Sequence, residues 1–208
     1  MYKHLLTGIL CLSVLAANAK RKSVYVGFLS GQTGHRVVDE ALPVGNSYDG
    51  GDNLALSFTS EINFDKKNKT IFLSIPIRLH TNRFNVSEQY IYPLYSSYAY
   101  STSRTITSAS LGAGLSLNVV PVGNERIALV TSLSALPVIE AGEFMGRLRA
   151  NAVGELYGGM RLMNRLMLGV RYVHFFRSYT VDDFSMPTHN TYGIGNVLFD
   201  MRFNLKGK

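Results

Sequence analysis

Cysteine occurs once in the 208 residues, at Cys11, and tryptophan does not occur at all. One thiol excludes a disulfide framework and any cysteine-built metal site. Charge is scarce as well: Asp, Glu, Lys and Arg make up 17% of the chain, against about 25% in ordinary soluble domains. Less of the surface is therefore built to face water. The 6 prolines are scattered, which excludes collagen-like and proline-rich linker segments. After the first nineteen residues no apolar run approaches the roughly 18 residues of a membrane helix. His35, His80, His174 and His189 show no metal-ligand spacing, and no phosphate loop, nucleotide fingerprint or G-x-S-x-G elbow is present. No metal or other cofactor is expected, and nucleic acid is not an expected partner despite the formal charge of +7.

What is present begins with a leader. The residues MYKHLLTGILCLSVLAANA combine Lys3, an apolar stretch from Leu5 to Ala16 and the small pair Ala17 and Ala19. This is the pattern of a secretory signal peptide over 1–19, cleaved after Ala19, with one domain over 20–208. The apolar stretch, about 12 residues, is too short to span a bilayer. Cys11 lies inside it behind the bulky Leu10, where a lipoprotein signal needs a small residue, so it reads as signal core. The mature chain then has no cysteine.

Beyond the leader the recurring signal is period-two alternation, the mark of strands with one apolar and one polar face. Four segments carry it cleanly: Asn53 to Phe64, Thr70 to Asn82, Ser108 to Asn118 and Arg147 to Arg161. In the second, Ile71, Leu73, Ile75, Ile77 and Leu79 oppose Ser74, Arg78, His80 and Asn82. Four weaker segments, Ser23 to Ser30, Ile127 to Val138, Arg165 to Ser178 and Gly195 to Leu205, bring the expected strands to eight.

The connections alternate in length. Long ones are expected at 31–51, 83–105 and 179–190, with a shorter one at 139–146; tight ones fall at 65–69, 120–125 and 162–164. Alternating long and short loops on an even number of antiparallel strands fit a transmembrane barrel with its short turns and termini on the periplasmic side. A soluble lipocalin-type barrel has the opposite polarity, apolar inside and polar outside. Eight strands enclose only enough room for side chains or one small ligand. The polar faces offer Arg78, Glu155, Arg171, Asp200 and Arg202, while the apolar faces carry no charge. Charges therefore belong inside and lipid outside. The expected fold is all-β: an eight-stranded antiparallel up-and-down transmembrane barrel with a polar, side-chain-filled lumen.

Charges in such a lumen must be paired. If Leu162, Met163 and Asn164 form a three-residue loop, with Asn164 left-handed, then Arg161 faces Arg165, Tyr157 faces Gly169 and Glu155 faces Arg171. A Glu155–Arg171 contact is expected, continued by Asp200, Arg202, Glu61 and Arg78. Such a network serves either as the gate of a narrow, porin-like path or as a satisfied plug, and the small enclosed space favours the plug.

With this topology, and with the closing segment Tyr192 to Leu205 (YGIGNVLFDMRFNL) of alternating large apolar residues, the chain resembles the small eight-stranded outer-membrane barrels. That class includes the membrane domain of outer-membrane protein A and the opacity and attachment-invasion proteins. The resemblance implies an outer-membrane location and recognition of the terminal strand by the barrel-assembly machinery. It also implies contact with outer-membrane lipid and lipopolysaccharide. One departure is that Asn204 to Lys208 follow Phe203, where such chains often end on the aromatic residue.

A second segment, Gly169 to Ser178 (GVRYVHFFRS), resembles a strand of the lipid A 3-O-deacylase barrels. That resemblance implies an alternative activity, lipid A acyl hydrolysis with His174 as general base. Phe176 stands where the serine nucleophile belongs and Arg177 where the asparagine belongs. Ser178 shares the face of His174, but about 13 Å separates positions i and i+4 of a strand, beyond hydrogen-bond reach. The simpler reading places His174 in an aromatic belt with Tyr172, Phe176 and Tyr179.

The most distinctive loop is Gln89 to Tyr100 (QYIYPLYSSYAY), with Tyr90, Tyr92, Tyr95, Tyr98 and Tyr100. Tyrosines offer contact area at low entropic cost and would suit a host or surface ligand; equally, they would extend the strands as an outer girdle. Basic residues near the outer rim, Arg83, Arg104, Arg147, Arg149 and Arg177, are placed to pair with lipopolysaccharide phosphates. The sequence reading is thus a structural, adhesive or surface-interaction barrel acting through loops 31–51 and 83–105.

Overall fold

A computed structural model describes residues 21–39, 47–49, 51–62, 70–91, 99–124, 126–142, 148–182 and 189–205. The expected signal peptide lies outside these residues. The described chain is all-β, with strands β1 (Arg21–Asp39), β2 (Ser47–Asp49), β3 (Gly51–Ile62), β4 (Ile71–Ile91), β5 (Ala99–Ala113) and β6 (Leu115–Val119). It continues through β7 (Ile127–Gly142), β8 (Arg149–Leu162), β9 (Leu166–Phe175), β10 (Tyr179–Asp182) and β11 (His189–Asn204). No described helix is long and apolar enough to cross a membrane.

Eight staves close into one antiparallel barrel in the order β1, β3, β4, β5 with β6, β7, β8, β9, β11, and β11 pairs back onto β1. β5 and β6 are one stave interrupted at Gly114. β2 and β10 are short outriggers on β4 and β11. Closure leaves no sheet edge around the body of the barrel, so its backbone groups are satisfied within it.

Polarity is inside out. Phe28, Leu56, Leu111, Leu133, Leu156 and Phe199 point outward and are 47–64% exposed. Arg78, Glu155, Arg171 and Asp200 point inward and are at most 1% exposed. Such a surface is stable only against hydrocarbon, and a closed barrel is the one all-β way to cross it. The chain is an eight-stranded transmembrane barrel of the bacterial outer-membrane type.

The strands are longer than the alternation alone marked. β1 runs to Asp39, β4 to Ile91 and β7 to Gly142, so much of the expected loops 31–51 and 83–105 is paired strand. The β4–β5 ladder continues up to Ile91 opposite Ala99, whereas β5 pairs with β7 only as far as Ser108 opposite Gly142.

Candidate functional site in the lumen

The centre of the lumen is a charged layer. Arg171, on β9, donates from Nε and Nη2 to Asp200 Oδ2 on β11 at 2.8 and 2.7 Å, and from Nη1 to Glu155 Oε2 on β8 at 2.6 Å. One guanidinium thus ties three neighbouring staves. From the opposite wall Arg78, on β4, brings Nε to 3.4 Å from Glu155 Oε1 and donates from Nη1 to Thr59 Oγ1 at 3.0 Å. His80 Nε2 lies 3.5 Å from the same Glu155 oxygen. Arg202 completes the layer, with Nε 3.0 Å from Asp200 Oδ1. Arg171 and Arg202 also stand over the Tyr157 ring at 5.0 and 4.6 Å, a favourable cation–π geometry. In a low-dielectric interior these pairs offset a large desolvation cost and are costly to break one partner at a time.

Below this layer, toward the short turns, Tyr25, Val130, Tyr157 and Met167 pack together. Arg161 Nη2 pairs there with Glu61 Oε1 at 2.9 Å and stands over Phe72. Above it lies an apolar layer of Leu29, Ala55, Leu136, Val138, Val153, Val173, Phe175, Ile194 and Leu198. The lumen is therefore not polar along its whole height. At the loop end Glu140, fully buried, accepts from Arg149 Nη2 at 3.0 Å and from Asn151 Nδ2 at 3.1 Å. Asn53 and Asn196 both donate to Asn82 Oδ1, at 2.7 and 2.8 Å. Charge network, apolar layer and amide cluster fill the section between the walls.

The expected lumen residues fall into two groups. Arg78, Glu155, Arg171, Asp200 and Arg202 join one network, while Glu61 pairs separately with Arg161. His80 joins the central network, Arg161 pairs with Glu61 and Arg149 with Glu140; none of His80, Arg161, Arg149 and Glu140 was expected as a partner in the lumen. Glu140 continues the inward parity of Ser132, Ser134, Leu136 and Val138, which was the available signal.

The β8–β9 register differs from the expected one. Leu162 pairs with Leu166, and Met163, Asn164 and Arg165 form the turn, so Tyr157 faces Arg171, Gly159 faces Gly169 and Glu155 faces Val173. Met163 and Asn164 are both left-handed, with φ of 48° and 54°. The physical reason is charge: the expected register sets Arg161 directly against Arg165, a destabilising like-charge pair, whereas the observed one puts Arg161 opposite Met167 and leaves Arg165 in solvent. The Glu155–Arg171 contact forms as a diagonal, reached by the long guanidinium. Tyr157 still covers Gly169, where a Cβ would meet its ring.

His174 is exposed on the outer face, stacked on Tyr172 at 6.4 Å and edge-on to Phe176 at 5.2 Å. Beyond it β9 ends at Phe175 and the chain bends at Phe176 and Arg177. The carbonyl of Ser178 accepts from Arg149 Nη1 at 3.0 Å. Of the tyrosine-rich segment, Tyr90 and Tyr100 face each other near the end of the β4–β5 ladder, while Tyr92, Tyr95 and Tyr98 lie outside the described residues. Of the rim arginines, Arg83 and Arg177 are exposed, Arg149 is engaged by Glu140, Arg104 sits on β5 opposite Val86, and Arg147 lies outside the described residues.

No family model matches the chain, and no curated protein matches it in sequence. Among solved structures it is similar to the outer membrane protein AlkL in lipid bilayers, at 13% identity and a TM-score of 0.47, over 91% of this chain and 92% of that one. It is similar to Neisserial surface protein A at 7% identity and 0.42, over 86% and 96%. The attachment invasion locus protein of Yersinia pestis matches at 12% identity and 0.37, over 88% and 97%.

Proposed function

We propose that this chain is a closed, non-conducting barrel that works at its loop end, as a structural, adhesive or surface-interaction protein using residues 31–51 and 83–105. The observation that carries the reading is the lumen: Arg78 reaches across from β4 to the Glu155–Arg171–Asp200 network, and an apolar layer lies above it. A filled barrel offers no path for solute, which leaves its ends for recognition. The paired extension of β4 and β5, with Tyr90 opposite Tyr100, supports a presented surface for a host or surface ligand. Exposed Arg83 and Arg177 supply cations for lipopolysaccharide phosphates, and outer-membrane lipid and the barrel-assembly machinery are the routine partners.

The test is whole-cell binding to epithelial cells and immobilised matrix proteins, comparing the native chain with a Tyr90→Ser, Tyr100→Ser variant. Binding should fall at least severalfold while heat-modifiable gel migration, the sign of an intact barrel, is unchanged. Cells carrying the native chain that bind no better than cells without it would overturn the adhesive reading.

A further inference from the structure

We propose that the outer wall of the barrel carries a site for one phosphorylated glycolipid of the outer leaflet, a lipid A-type headgroup seated across β3, β4, β5 and β7 toward the loop end. It deepens the lipopolysaccharide contact proposed above and rests on it. The first observation is a step in the wall. Cross-strand pairing sets Leu54, Thr81, Ala109 and Ala141 in one outward-facing, exposed row. The outward row one step nearer the short turns is Leu56, Leu79, Leu111 and Ile139. All of that lower row is bulky and branched, whereas in the upper row only Leu54 is large. The wall is recessed there, and a groove of about 860 Å³ lies over the upper row. That volume falls within the range of small-molecule sites, roughly 300–1,000 Å³.

The second observation is the chemistry at the groove's rim. One step further toward the loop end, Arg83 on β4 stands opposite Thr107 on β5; both are exposed and both line the groove. The floor is drier than its residues suggest, because the Thr81 hydroxyl donates to the Leu54 carbonyl at 2.8 Å. Apolar groups thus lie below and a cation with a hydroxyl lies above, at the level where the outward face changes from aliphatic to polar. In an outer-membrane barrel the loop end faces the outer leaflet, so this level meets lipid headgroups. Arg83 and Thr107 suit a phosphate, the floor of Ala109 and Ala141 suits the apolar face of a sugar ring, and the leucines beneath suit acyl chains. A phospholipid brings the phosphate and the chains but no ring to fill the recess.

Native mass spectrometry of the refolded full chain in detergent, titrated with bisphosphorylated lipid A, reads the site. Each barrel should retain one lipid A, at least tenfold more tightly than it retains phosphatidylglycerol. Ala109→Phe, which fills the groove with a side chain that a lipid-facing wall tolerates, should weaken retention at least tenfold. Arg83→Gln should weaken it about tenfold, the effect of one hydrogen bond to a charged group. Ala135→Phe, at an exposed position of β7 outside the groove, should leave retention unchanged, and all three variants should keep the heat-modifiable gel migration of an intact barrel. Retention that Ala109→Phe does not weaken overturns the groove and spares the lipopolysaccharide contact. Phosphatidylglycerol held as tightly as lipid A overturns the choice of occupant, and no retention of lipid A at all overturns both readings.

Discussion

Strands β8, β9 and β11 send long or charged side chains into the lumen, among them Tyr157, Glu155, Arg171, Asp200 and Arg202, whereas the wall from β3 to β7 supplies most of the buried serines and amides beside Arg78, His80, Glu61 and Glu140. Ser57, Ser74, Ser110, Ser116, Ser132 and Ser134 belong to that second wall, and Arg78 is the one lumen guanidinium it contributes in the central network. At the height of the charge network the two walls are complementary in length, apart from Arg78 and His80. Eight staves leave a section too narrow for long side chains from every side, so reach on one wall is matched by brevity on the other. The charged wall is also cross-tied, through Arg171, while Ser57, Ser110 and Ser134 leave their hydroxyls without protein partners. Stability should therefore be concentrated on one side of the lumen.

Breaking the tied wall should have the largest effect. Arg171→Met removes the cation that Glu155 and Asp200 share, with three short hydrogen bonds, leaving each carboxylate one more distant guanidinium, and should cost about 3 kcal/mol in urea unfolding from lipid vesicles. Adding Glu155→Gln and Asp200→Asn to it should deepen that loss, because Arg78 and Arg202 are then buried without their carboxylates. In the apolar layer Leu198→Ala should cost about 3 kcal/mol in the same assay, the usual scale for truncating a buried leucine. Gly169→Ala sharpens the comparison within the tied wall itself. Its Cβ would press on the Tyr157 ring and on the Gly159 backbone, and a loss of about 2 kcal/mol is expected for such overpacking. Ser134→Ala, on the loose wall, removes a hydroxyl with no protein partner and should stay within about 0.5 kcal/mol of the native chain. A Ser134→Ala loss as large as that of Arg171→Met would contradict the division between the walls.

How far the sequence foretold this depended on what surrounds each strand. Where lipid lies outside and polar groups inside, as along Asn53 to Phe64 and Thr70 to Asn82, alternation exposed both faces. It weakened along Ile127 to Val138 and Arg165 to Ser178 because Leu136, Val138, Val153, Val173 and Phe175 make part of the lumen apolar too. There the two faces differ little in hydropathy. It vanished toward the loop end, where β1 and β4 continue to Asp39 and Ile91, so paired strand read as loop. The identities of the network charges followed from parity, but their partners did not. Parity is unchanged by a two-residue slip, and the turn at Met163 and Asn164 was read one residue early. Repulsion between Arg161 and Arg165, visible in the expected register itself, was the clue that would have corrected it.

Single-channel recording in planar lipid bilayers tests the filled lumen most directly. The native chain, refolded and inserted, should give no stable unitary conductance, and truncating both Arg171 and Leu198 to alanine should be needed before ion flow appears. A steady open channel from the native chain, at a conductance that Arg171→Met leaves unchanged, would contradict the account.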